Sequence, residues 1–132
     1  MKNLILCDTT LKLNKSNLTF RKKIDIAVML DQMNVPVIEL GEISSATEDR
    51  LLIKTIASSV NNSILAVSVG LDPSLVAPCT DSLSCAEHLR LQVCAPVSTA
   101  RMEYVYHKKP DAVLNSIKET VAAAKAQCSD VE

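Results

Sequence analysis

Four short apolar runs, each followed by a longer stretch of helical periodicity, constrain this chain more than any other feature. The runs are Leu4-Ile5-Leu6-Cys7, Val35-Pro36-Val37-Ile38-Glu39-Leu40, Ile64-Leu65-Ala66-Val67-Ser68-Val69 and Leu89 to Val97. Runs of this length, rich in branched residues and bounded by polar segments, read as strands. The first and third are nearly continuous in apolar character, as expected for parallel strands covered on both faces. Pro36 fits a strand start, where a missing N–H is tolerated.

The intervening segments read as helices. Thr19 caps one running to about Met33, with Phe20, Ile24, Ala27, Val28 and Leu30 inward and Arg21, Lys22, Asp25 and Asp31 mostly outward. A second starts at Ser45 or Thr47, with Glu48 and Asp49 in its first turn, where the helix dipole favours anions. Its expected inner stripe is Leu51, Leu52, Thr55, Ile56 and Val60. A third, near Ser74 to His88, is broken by Pro73 and Pro78. The fourth, Pro110 to Cys128, carries Val113, Leu114, Ile117, Val121 and Ala124 as its stripe. Asp130-Val131-Glu132 then leads toward another strand.

This βαβαβαβα order specifies an α/β protein with a parallel sheet and right-handed crossovers. Four βα units form either an open sheet or the equivalent of half a TIM (β/α)8 barrel. The 132 residues suit a single domain, 1–132, expected to stop short of a fifth strand.

Charge and composition remove several function classes. A net charge of -1 with both signs interspersed argues against nucleic acid as a partner, and Arg21-Lys22-Lys23 reads as a solvated helix face. No apolar run approaches the ~20 residues that span a bilayer, and the N-terminal one is too short for a signal peptide, so no membrane partner and a cytoplasmic location are expected. The five cysteines are odd in number and include no CxxC pair, against a disulfide framework or a zinc knuckle. Cys7 and Cys94 fall in strand-like runs as small hydrophobes, while Cys79 and Cys85 flank a polar segment open to solvent. Gly41 and Gly70 are the only glycines, which excludes phosphate-cradling glycine loops.

In either architecture, chemistry belongs at the carboxyl ends of the strands. There the chain places Asp8, Thr9, Thr10 and Lys12; then Glu39 and Glu42; then Ser68 and Asp72; then Ser98, Thr99 and Arg101. Asp8 and Glu39, on neighbouring strands, could share a cation or a proton, or each could cap a helix or pair with a nearby Lys or Arg. No histidine joins them. His88 precedes the fourth strand, at the opposite rim, and His107 lies in the loop before the last helix.

Four segments, in order, carry a resemblance: "LCDTTL" at 6–11, "VPVIELG" at 35–41, "MEY" at 102–104 with "KKPDAVL" at 108–114, and "CSDVE" at 128–132. Together they resemble the N-terminal half of the isopropylmalate synthase and homocitrate synthase family, in the DRE-TIM metallolyase superfamily. That resemblance implies a TIM barrel that uses Mg, Mn or Zn to condense acetyl-CoA with a 2-oxo acid. It also implies an arginine at position 12 and a metal-binding aspartate at position 13, where this chain has Lys12 and Leu13. Lysine keeps the charge but loses the planar fork, and an isobutyl group donates no oxygen. The histidine of the family's Ser-x-x-His is replaced in Ser98-Thr99-Ala100-Arg101.

The resemblance therefore gives Lys12 and Glu39 as vestigial catalytic positions. Asp8, Ser68, Ser98 and Arg101 stand as candidate substrate contacts, with no metal ligand and no cofactor for this chain alone. Three functions follow as expectations. One is a degenerate relative acting through self-association or through binding a related barrel half. Another is the N-terminal half of a split acyltransferase. The third is an anion binder using Ser68, Ser98 and Arg101.

Overall fold

The computed structural model describes residues 4–13, 18–42 and 47–132. A four-stranded sheet runs β1 (Cys7–Asp8), β2 (Val37–Glu42), β3 (Ile64–Ser68) and β4 (Leu89–Gln92), in that spatial order, with every pair parallel. Helices α1 (Thr10–Leu13), α2 (Phe20–Gln32), α3 (Thr47–Ala57), α4 (Val76–Ser82), α5 (Thr99–Tyr104) and α6 (Pro110–Gln127) complete the units. This is the expected α/β architecture. The start of a further strand is laid down as well, because Val131 bridges Leu91 in parallel. Leu91 N–H donates to the Asp130 carbonyl, and Glu132 N–H donates to the Leu91 carbonyl.

The two faces of the sheet differ in kind. Side chains at paired positions share a face, and alternate residues along a strand switch faces. Ile38, Leu65, Val67 and Leu91 point to the helices and are fully buried, with Ala27, Ile53, Ile56, Val76 and Ala124 packed against them. Cys7, Val37, Glu39, Ala66, Ser68, Arg90 and Gln92 take the other face by register, the face that lines the interior of a barrel. Gly41, at φ 88, sits where the β2–β3 register shifts, a backbone conformation that a side-chain-bearing residue rarely adopts.

Several expected placements are corrected. Asp31 is 5% exposed rather than on the outer face of α2. Leu51 and Leu114 face outward, and the stripes they were to join run through Ile53 and Ala57 in α3 and Thr120 in α6. The helix expected over Ser74–His88 is a 3-10 turn, Pro73–Leu75, followed by α4. Pro78 is tolerated there because it lies in the first turn, where its missing N–H has no helical partner to lose. β4 ends at Gln92, not Val97. The short helices α1 and α5 were not foreseen. Ser45, one candidate start of α3, lies outside the described residues.

The thiols also depart from expectation. Cys7 and Cys94 are exposed and Cys79 is buried. A strand residue is a core residue only where neighbours cover it: on the barrel-facing side Val37, Ala66, Ser68 and Gln92 are buried, whereas Cys7 lies on the edge strand β1 and Cys94 beyond the end of β4. Burial pushes the Cys79 thiol up to about 11.

Candidate functional site

Glu39, Arg90 and Gln92 on the inner face, with Lys12, Asp130 and Glu132 beside them, form one connected group, assembled by strand register. Glu39 sits at its centre. Lys12, lifted from the β1–α1 loop onto the first short helix, donates its Nζ to Glu39 Oε2 at 2.6 Å. Gln92, on β4, donates Nε2 to Glu39 Oε1 at 2.9 Å and to Glu132 Oε2 at 3.2 Å. Cys7 donates its thiol to Glu39 Oε1 at 3.5 Å. Arg90, two residues before Gln92 and so on the same face, donates Nε to Asp130 Oδ2 at 3.0 Å and places Nη1 3.5 Å from Glu132 Oε2. The chain Lys12–Glu39–Gln92–Glu132–Arg90–Asp130 thus crosses the sheet from α1 to the residues flanking the Val131 bridge.

These contacts set the protonation states. Burial raises the Glu39 carboxyl, but the hydrogen bonds from Lys12 and Gln92, the Lys12 charge and the Cys7 thiol outweigh it and hold Glu39 below its usual range. The hydrogen bond to Glu39 holds the Lys12 ammonium above its usual range against partial burial. Burial and the neighbouring Glu39 charge raise the Cys7 thiol, so it is a poor thiolate. The site therefore holds a closed ion pair at neutral pH.

Lys12 and Glu39 come together. The other candidates do not join them through any described contact. Asp8 turns both oxygens onto Thr10, accepting from its N–H at 3.0 Å and its hydroxyl at 3.1 Å, and so starts α1. Ser68 is buried and its hydroxyl accepts from Gly70 N–H at 3.4 Å. Ser98 caps α5, accepting from Arg101 N–H at 3.3 Å, and Arg101 itself is exposed. Gln92 was missed because an amide is neither acid nor base. Its position two residues beyond Arg90 on one strand was the available signal.

The donor set does not fit the divalent metal that the resemblance implies. Leu13 stands at the position of the expected ligand, is 75% exposed, and carries only carbon and hydrogen. An ammonium already occupies one Glu39 oxygen. Among the described residues, no group of three or more His, Cys, Asp or Glu side chains is arranged to hold a metal ion. Nor is any helix there long and apolar enough to cross a membrane.

A parallel βα sheet with its polar side chains gathered on one inner face defines a barrel-type α/β protein, here equivalent to half of a (β/α)8 barrel. Comparison with known proteins narrows this class. The HMGL-like family matches residues 3–132, and the chain belongs to that family. It is 33% identical over 134 residues to 2-isopropylmalate synthase of Campylobacter jejuni strain 81-176, covering 98% of this chain and 26% of that protein. The enzyme of the same name from Paraburkholderia phymatum is 32% identical, over 98% of this chain and 26% of its own length. That from Bradyrhizobium diazoefficiens is 29% identical, over 97% and 25%. The chain thus spans about a quarter of the curated relatives it matches. The fold is also shared with a Type II Baeyer-Villiger monooxygenase from Pseudomonas putida, at a TM-score of 0.54 and 16% identity, over 89% of this chain and 37% of that one.

Proposed function

We propose that this chain is a degenerate, non-catalytic relative of 2-isopropylmalate synthase that works by pairing with a second copy or a related barrel half. The observation that carries the reading is the Lys12–Glu39 pair at 2.6 Å, closed over the position from which the family's chemistry would start. With Leu13 beside it, the first loop supplies a charge but no oxygen for a hard cation. Exposed Leu4, Ile5, Leu6 and Val97 support association, since apolar edges and patches of this kind call for a partner.

A second reading, the N-terminal half of an acyltransferase completed by another chain, is favoured by two observations. Lys12 and Glu39 still share the inner face, and the next strand is already begun at Val131.

Calorimetry of the purified chain with Mg²⁺, Mn²⁺ or Zn²⁺ and then a 2-oxo acid separates these readings. Silence is expected. Oxo-acid binding that requires metal favours the split enzyme, and metal-free binding of the acid favours the anion-binding role of Ser68, Ser98 and Arg101. Release of coenzyme A from acetyl-CoA by this chain alone would overturn the proposal.

Thiol labelling tests the pairing itself. In dilute protein, Cys7, Cys85 and Cys94 are the exposed thiols, while Cys79 and Cys128 are buried. If the inner face is covered on association, Cys7 and Cys94 should slow at least tenfold at high protein concentration while Cys85 does not. Equal rates across concentration, together with a monomer in sedimentation at micromolar levels, would rule pairing out.

A further inference from the structure

Asn61-Asn62-Ser63, in the turn between α3 and β3, places asparagines in a chemically labile order. Asparagine is thermolabile because the backbone nitrogen of the following residue can attack its side-chain carbonyl. At Asn62 a bond forms between Ser63 N and Asn62 Cγ, the Cγ–Nδ2 bond breaks, and the amide nitrogen leaves as ammonia with the Ser63 amide proton. Water then opens the cyclic imide to aspartate or isoaspartate. Water is the only co-reactant, and Asn62 is exposed to it. A small following residue such as Ser63 hinders the attack little.

One carboxylate holds both participants apart. The attacking nitrogen, Ser63 N, donates to Asp31 Oδ1 at 2.7 Å, and the leaving nitrogen, Asn62 Nδ2, donates to Asp31 Oδ2 at 3.2 Å. Attack requires the backbone nitrogen to give up its proton, and a negative charge beside it opposes that loss. The bond from Nδ2 keeps the Asn62 side chain turned to Asp31. Ser63 is fixed further, being 2% exposed with its hydroxyl donating to the Val35 carbonyl at 2.7 Å. The geometry points to Asn62 as a deamidation site latched by Asp31, whose conversion undoes the clasp between the end of α2 and the lead into β3.

The conversion is one-way. Its aspartate product carries an oxygen where Nδ2 now donates, 3.2 Å from Asp31 Oδ2, and two carboxylates so placed repel. Isoaspartate also adds a methylene to the backbone between Asn62 N and Ser63 N, which now share Asp31 Oδ1 at 2.9 and 2.7 Å. Either product pushes the turn off the carboxylate that holds it. The rate is set by local opening of this clasp rather than by unfolding of the whole chain.

The inference is independent of whether copies of this chain pair. The full chain is incubated at mildly alkaline pH, and peptide mass mapping follows the amide-to-acid change at each asparagine. Asn115-Ser116, the same dipeptide within α6, is the internal control, because its nitrogen is released only when that helix opens. Asp31→Ala should speed conversion at Asn62 by about tenfold, the effect of losing a hydrogen bond to a charged group, and leave Asn115 unchanged. Thermal melting shows that the variant is folded, and Asp31→Asn, which keeps one acceptor oxygen, is read in its place if it is not. An unchanged rate at Asn62 would overturn the proposal, as would Asn62 and Asn115 speeding up together, because unfolding of the chain would then set the rate. Asn62→Asp, which mimics the aspartate product, should lower the melting midpoint of the unaltered protein and have little effect beside Asp31→Ala. Equal effects in the two backgrounds would overturn the release of the clasp.

Discussion

Replacing Asp31 with alanine is expected to destabilise the fold by about 2–4 kcal/mol, a large share of the ~5–15 kcal/mol that holds a domain of this size together. Asp31 is the next-to-last residue of α2, and its carboxylate closes the loop before β3. Oδ1 accepts from Ser63 N–H at 2.7 Å and Asn62 N–H at 2.9 Å, and Oδ2 accepts from Asn61 N–H and Asn62 Nδ2, both at 3.2 Å. Removing the carboxylate leaves the buried Ser63 N–H without an acceptor, whereas the more exposed asparagines can turn to water. Asp31→Asn keeps one acceptor oxygen and should cost roughly half as much.

The effect should also depend on pH. Burial raises the Asp31 carboxyl, but the backbone bonds from Asn61, Ser63 and Asn62 outweigh it, and the group titrates below its usual range. A carboxyl depressed in the folded state contributes stability above its unfolded pKa of about 3.9, and that contribution fades as pH falls through the lower folded value. Urea melts of both proteins should therefore differ fully at pH 7 and converge below about pH 4. A gap unchanged between pH 7 and pH 3 would show that the charge is not what matters.

Asp31 also marks where reading the sequence stops. The order of strands and helices was legible because it rests on local periodicity, and so was the lead into a further strand at Asp130-Val131-Glu132. The role of Asp31 was not, because its partners lie about thirty residues away and only the folded sheet brings them close. The same holds for Gln92, which meets Glu39 across an intervening strand at a separation of 53 residues. Lys12 and Glu39 were legible as site residues only through a family resemblance, since nothing local shows that a loop lysine will reach the second strand. Cys7 and Cys94 were misjudged for another reason. Their strand-like runs were recognised, but periodicity does not say which strand will lie at the sheet edge or where a strand will stop, and Cys7 lies on the edge strand and Cys94 beyond β4. The helices α1 and α5 carried readable signals, an aspartate two residues before Thr10 and a serine before Thr99, but each is under two turns long.

A sharper test of which apolar residues make the core is the contrast between two leucines. Leu65 and Leu114 both lie in apolar patterns, one in β3 and one in α6. Leu65 is 0% exposed and belongs to the cluster on the helix-covered face, at the centre of a sheet flanked by β2 and β4. Leu114 is 51% exposed. Leu65→Ala removes three side-chain carbons from a close-packed site between two neighbouring strands and the helices over them. Its cost should be about 2–5 kcal/mol, the transfer term plus the cavity left behind. Leu114→Ala gives up little buried surface and replaces leucine with the best helix former, so it should fall within about 0.5 kcal/mol of the unaltered protein. Denaturation midpoints decide the matter. If the two substitutions cost the same, the helix-covered face of the sheet is not where the stability of this fold resides, and its core would have to lie on the barrel-facing side instead.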